Sequence, residues 1–274
     1  MGESLMRTVM LVAVMAMTAT FAAPASAQRA DDKFYAKGGL FFSNLDSSIR
    51  IDGSAAGTPI DLEKDFGLGS QKTAGFGLAG WRFSEKWRVE LEYFRLSRSG
   101  STKIDRNVTV GNTVYPVNGT ITSGLSTSIY RLAVGYSFVK GDGYELGADL
   151  GAHLSDFSVF VEGTGSLNGA PATARRETRS QLVPLPTLGL YGRYDLNDTF
   201  ALVARADYFQ LKIDKYKGSL VDLSAGVTAR VTKNVGIGAD MRYVDYGLRA
   251  SAADFTGKID YKFYGPFVYL DIGF

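Results

Sequence analysis

The sequence contains one histidine, His153, in the stretch Ala-His-Leu-Ser-Asp. His153 and Ser155 stand two residues apart, a spacing that puts both side chains on one face of a β-strand. A base and a hydroxyl so placed could do nucleophilic chemistry, given an acid to orient the imidazole. Asp156 follows the serine, and the next acid along the same stretch is Glu162. A second candidate is Asp61-Leu62-Glu63-Lys64-Asp65-Phe66-Gly67, whose three acids alternate and offer oxygen ligands of the kind calcium takes. Its glycine comes seventh rather than sixth and no glutamate follows at the twelfth place, so a solvated loop with a short amphipathic turn is the competing reading. A third is the basic group Arg175, Arg176 and Arg179, suited to phosphate or to plain exposure in a loop.

The elements that must position these residues show a period of two. Trp87, Val89, Leu91 and Tyr93 alternate with Arg88, Glu90, Glu92 and Phe94. Tyr130, Leu132, Val134, Tyr136 and Phe138 oppose Arg131, Ala133, Gly135 and Ser137. Tyr144, Leu146, Ala148, Leu150 and Ala152 oppose Glu145, Gly147, Asp149, Gly151 and His153, which puts His153 and Ser155 on the polar side. The pattern returns in Val221–Thr232 and in Val235–Tyr243, and it runs through the final residues FVYLDIGF. This alternation predicts half-buried strands. The polar faces combine charges with many Gly, Ala and Ser, as in a crowded, enclosed interior, while the apolar faces carry aromatics at their ends, as in a lipid-facing band. A soluble sandwich would show a large aliphatic hidden face and a wet outer one.

Composition narrows the class. With 30 Lys+Arg against 28 Asp+Glu the chain has a net charge of +2, which gives no footprint for nucleic acid. There is no cysteine, which excludes a disulfide frame, a thiolate metal site and a lipidated N-terminal cysteine. Arg7, the apolar run Val9–Ala23 and the small-residue site Ala25-Ser26-Ala27 form the three parts of a secretory signal peptide, read as residues 1–27. The remaining residues, 28–274, form one domain, and no stretch in them has the unbroken apolar length of a spanning helix.

Short turns at Ser84-Glu85-Lys86, Lys140–Gly143, Asn197-Asp198-Thr199 and Lys233-Asn234 alternate with longer polar links at 46–72, 101–123, 163–181, 213–218 and 250–260. Aromatics flank three of the four short turns. Strands are predicted near 34–45, 73–83, 87–99, 124–139, 144–161, 182–196, 200–212, 219–232, 235–249 and 262–274. The result is an all-β fold, a closed antiparallel transmembrane β-barrel of about ten strands, with short turns on the periplasmic side and both ends there. Pro184 and Pro186 make 182–196 the weakest strand, because proline removes a ladder donor.

Alternation places Lys37, Arg82, Arg88, Arg131, Arg193, Arg205, Arg230 and Arg242 in the lumen, with Glu90, Glu92, Glu145, Asp149, Asp195, Asp207, Asp222, Asp240 and Asp271. Eight bases against nine acids favour cross-lumen ion pairs, and a barrel this narrow is expected to be filled by its own side chains. Val268, Leu270, Ile272 and Phe274 form the lipid side of a last strand that must pair with the first, because lipid cannot satisfy an open sheet edge.

A terminal Phe274 preceded by apolar residues two, four and six places back resembles the assembly signal of bacterial outer-membrane barrels. The whole chain after Ala27 resembles the small single-chain outer-membrane barrel families, including those with a stretch like PIDLEKDFGL at 59–68. The resemblance implies a place in the outer membrane, with its lipid, lipopolysaccharide and the barrel-assembly machinery as partners. No cofactor and no metal are expected from the residues. His153-x-Ser155 is similar to the His-x-Ser of outer-membrane lipid A deacylases, which would make His153 the base and Ser155 the nucleophile. The paired acidic motifs and Asp-x-His of outer-membrane aspartyl proteases are missing. The leading expectation is therefore a non-enzymatic barrel with a structural or surface-interaction role. A narrow channel for ions or small solutes is the alternative, and a lipid-modifying hydrolase the third reading. Oligomeric state is left open.

Overall fold

The computed structural model describes residues 32–167, 173–213, 216–251 and 256–274. The segment read as a signal peptide lies outside them. The described strands are β1 (Phe34–Ile51), β2 (Ile60–Asp61), β3 (Gln71–Arg82), β4 (Trp87–Lys103), β5 (Val108–Val110), β6 (Thr113–Tyr115), β7 (Thr120–Gly141), β8 (Tyr144–Leu167), β9 (Thr173–Asp195), β10 (Phe200–Ile213), β11 (Tyr216–Arg230), β12 (Val235–Ser251) and β13 (Thr256–Gly273). Ten of them pair antiparallel in the closed ring β1-β3-β4-β7-β8-β9-β10-β11-β12-β13, while β2, β5 and β6 belong to the external links. The ring closes where β13 lies along β1, with Gly38 opposite Leu270 and Tyr35 opposite Gly273. The amides of Lys33 and Phe34 donate to the Phe274 carbonyl at 2.7 and 3.1 Å, so the chain is hydrogen-bonded to its last residue.

The staves are longer than alternation predicts, because the side of the strand that is apolar changes part-way along. On β4, Trp87, Leu91 and Tyr93 point outward, and then Phe94 and Leu96 point inward and are buried. On β12 the switch falls between Met241 and Val244, and on β13 between Phe263 and Tyr264. Tyr93, Tyr130, Tyr208 and Tyr264 are exposed near this level and form one aromatic girdle, opposite Phe34, Trp81, Phe83, Trp87, Tyr136, Phe138, Tyr144 and Tyr194 at the end with the short turns. From Tyr264 to Gly273, β13 spends ten residues between the girdles, the length a tilted strand needs to cross the hydrocarbon layer.

Beyond the outer girdle the strands continue into water, and the apolar parity turns inward to make a second, soluble-type core. Phe41, Phe94, Phe157, Tyr246, Tyr261 and Phe263 form its floor, with edge-to-face contacts such as Phe41–Phe94 at 6.4 Å and Phe94–Phe263 at 5.7 Å. Above it the link after β1 folds into the mouth rather than out into solvent. Ile60, Leu62, Phe66 and Leu68 are all buried there, each contributing roughly 1.5–3 kcal/mol. Gly67 makes the turn with φ 65°, a conformation a side chain would strain. The expected solvated loop is thus a plug, because four of its residues find an apolar cavity that the ring provides.

The expected weak strand at 182–196 is the lower part of the 23-residue β9. Pairing with β10 covers only Leu188–Asp195, whereas pairing with β8 continues up to Thr173. Pro184 and Pro186 therefore sit where β9 has an open side, the position in which a missing N–H leaves no donor unsatisfied.

Candidate functional site

The lower lumen is built from inward positions of staves far apart in sequence. Nearest the short turns, the Arg82 guanidinium grips Glu145 through two hydrogen bonds of 2.7 and 2.5 Å. The Ser137 hydroxyl donates to the same carboxylate. Arg230 and Arg193 both reach Asp195 at 2.8 Å. The Tyr191 ring lies over Gly147, where an added Cβ would come within 2.2 Å of it, and the Arg88 guanidinium stacks on that ring at 3.3 Å.

The middle layer centres on Arg131, whose side chain is 0% exposed. It donates to Asp207 at 2.7 Å, Asp149 at 3.0 Å and Glu90 at 3.2 Å. Glu90 also accepts from Tyr35 at 2.6 Å and lies 3.5 Å from Arg88. Arg205 donates to Glu92 at 2.9 Å and lies 3.5 Å from Asp207 and Asp222. Arg242 holds Asp222 through bonds of 3.0 and 2.6 Å and reaches Glu92 at 2.7 Å. Asp240 accepts from the Tyr269 hydroxyl at 3.1 Å. Arg88, Glu90, Glu92, Arg131, Glu145, Asp149, Arg205, Asp207, Asp222, Arg230, Asp240 and Arg242 thus all face inward, and all but Asp240 take part in ion pairs. On the closing strand, Val268, Leu270 and Phe274 are exposed and Ile272 half-exposed, all on the lipid side.

His153 is fully buried at the top of this layer. Its Nε2 lies 3.3 Å from Asp207 and its Nδ1 3.3 Å from the Tyr246 hydroxyl, so both ring nitrogens face groups other than Ser155. Ser155 is fully buried as well. Among the described residues His153, Asp207 and Asp222 bring ligand atoms within 4.8 Å of one another. Both carboxylates already face Arg205, and Arg131 and Arg242 hold one each, so a metal ion would meet three guanidinium groups there.

In the plug the three alternating acids turn to three different bases. Glu63 accepts from Arg98 at 2.5 Å and from the Ser47 hydroxyl at 2.8 Å, Asp65 from Arg106 at 2.7 Å, and Asp61 from Lys64 at 2.8 Å. Partial burial acts to raise the Asp61 carboxyl, but the Lys64 hydrogen bonds outweigh it and hold the group below its usual range. Arg176 and Arg179 stand on β9 rather than in a loop, Arg176 bonded to Glu162 at 2.5 Å and Arg179 lying 3.5 Å from Glu177. The side chain of Arg175 lies outside the described residues.

Residues 13–263 match the family described as outer membrane protein beta-barrel domain. The chain belongs to this family. Its fold is similar to that of the outer membrane protease OmpT from Escherichia coli, at 14% identity and a TM-score of 0.55 over 94% of this chain and 99% of that one. It is more distantly similar to the toluene transporter TodX of P. putida (8% identity, TM-score 0.37, 89% and 90% covered). The attachment invasion locus protein Ail of Yersinia pestis follows at 9% identity and a TM-score of 0.32, with 87% and 98% covered. No curated protein matches the sequence. As a member of the family the protein is an all-β barrel of the bacterial outer membrane.

Sequence reasoning missed the latch of this outer-membrane barrel, Glu63 with Arg98 and Ser47. The signal available was the run Ile60, Leu62, Phe66, Leu68, too apolar for a solvated loop. Glu63→Gln should strip the buried Arg98 of its charged partner and loosen the plug by roughly 1.5–3 kcal/mol. Limited trypsinolysis of the folded barrel should then cut after Lys64 or Arg106 at least tenfold faster. Unchanged cleavage would show that the apolar contacts alone hold the plug.

Proposed function

We propose that the protein is a non-enzymatic outer-membrane barrel with a structural or surface-interaction role, exported by removal of residues 1–27. The observation that carries this reading is the double filling of the lumen. An ion-paired layer around Arg131 closes the membrane-spanning half, and an apolar core with its plug closes the external half. Burial of His153 and Ser155 beneath the aromatic floor supports the absence of hydrolase chemistry, since a lipid substrate has no access to either.

What the barrel presents outward is a rigid external extension, with Arg95, Ser97, Asp156, Ser180 and Lys262 on its outer surface. Such a surface suits contacts with lipopolysaccharide and other envelope components. The lipid-side residues of β13 suit recognition by the barrel-assembly machinery.

The narrow-channel alternative draws on a cavity of about 120 Å³ in the lower lumen, lined by charged side chains. Single-channel recording of the refolded protein in a planar bilayer separates the two readings, with heat-modifiable gel migration as the check on folding. A folded barrel should be silent. Steady discrete openings that change with Arg205→Ala would make the protein a channel instead.

A further inference from the structure

We propose that the periplasmic half of the lumen is a blind chamber that binds a small oxyanion of the phosphate or sulfate class. The inference rests on the closed-lumen reading, because the chamber is the space left beneath the Arg131 layer. It reaches from the level of Arg82 and Glu145, beside the periplasmic turns, up to Arg242. Its volume of about 120 Å³ exceeds the space that one water needs and admits a small tetrahedral anion.

Donors left without acceptors decide which ligand suits it. The chamber wall presents six cationic side chains and four carboxylates, and Asp195 and Asp271 lie beside it next to Arg193 and Lys37. Arg82, Arg205 and Arg242 are engaged by Glu145 and Glu92. Two cations on the wall keep donor capacity in reserve. Lys37 makes no ion pair within 4.0 Å among the described residues; it lies 4.8 Å from the Tyr269 ring and opposite Asp271 on β13. Arg193 has a side chain nine-tenths buried, touches Asp195 through Nε, and leaves its buried Nη2 with no acceptor. An unpaired donor out of contact with bulk water is costly, and a multiply accepting oxyanion satisfies such donors better than chloride does.

Calorimetric titration of phosphate and of sulfate into the refolded barrel, in low-chloride buffer, tests the assignment. One site per barrel is expected. Lys37→Met and Arg193→Gln should each weaken binding about tenfold or more, whereas Arg176→Gln on the external surface should leave it unchanged. Lys37→Arg and Arg193→Lys keep the charge and should retain most of the affinity, so the assignment stays testable if a neutral variant fails to fold. Absence of binding by a folded, silent barrel overturns the chamber alone. Binding indifferent to both neutral variants places the anion elsewhere and also overturns it. Binding accompanied by a steady anion current overturns the blind end, and with it the closed-lumen reading.

Discussion

Arg131→Ala should destabilise the folded barrel by about 3–5 kcal/mol, the loss expected when one partner of a buried ionic cluster is removed. Arg131 is 0% exposed and is shared by three carboxylates, Glu90, Asp149 and Asp207. Without it Glu90 keeps Arg88 and Asp207 keeps Arg205, each at 3.5 Å, and Asp149 loses its cation. The measurement is the urea midpoint for unfolding from lipid vesicles. Arg131→Lys retains the charge but not the fork that meets several acids at once, so it should recover only part of the loss. Asp149→Asn added to Arg131→Ala removes the acid left bare, and the double variant should be more stable than the single one. An unchanged midpoint would mean that water reaches these carboxylates, which is what a conducting lumen requires.

The barrel was legible because lipid enforces a rule with period two. Leu91 and Glu92, or Leu270 and Asp271, must face opposite ways, and short turns fix which strands are neighbours. The same rule gave the inward set of charges. It did not give the pairs, because partners such as Arg205 and Glu92 lie 113 residues apart and meet across the lumen, where alternation is silent.

The external half was illegible for a different reason. On β12 the apolar residues run Ile237, Ala239 and Met241, and then resume at Val244, Tyr246 and Leu248 on the other parity. Read as one lipid-facing pattern, that shift looks like the end of a strand. It marks instead the height at which lipid gives way to water, so that apolar side chains must turn inward to be buried. The plug keeps the parity of Ile60, Leu62, Phe66 and Leu68 against Asp61, Glu63 and Asp65, yet only Ile60–Asp61 is a strand, so the period does not mark a stave. Only the ring around them explains why they are apolar. The two prolines of β9 were read as a flaw within a paired strand, and the short pairing with β10 removes the conflict.

Leu270→Arg tests where the membrane lies along these strands. Leu270 is 53% exposed, near the middle of the span from Tyr264 to Phe274. An arginine on the lipid face of a barrel destabilises by roughly 2–4 kcal/mol at the midplane and about 0–1 kcal/mol near an interface. Leu270→Arg should therefore fall in the first range. Tyr264→Arg, at the outer girdle, should lose far less charge solvation, and Asp260→Arg, beyond the parity switch on the same strand, should fall in the second range. The three substitutions add the same side chain to the same face of one strand, so the gradient between them reports depth rather than strand propensity. Were Asp260→Arg as damaging as Leu270→Arg in lipid, the parity switch would not be the membrane boundary. The inward-turned core above it would then have to be explained by something other than contact with water.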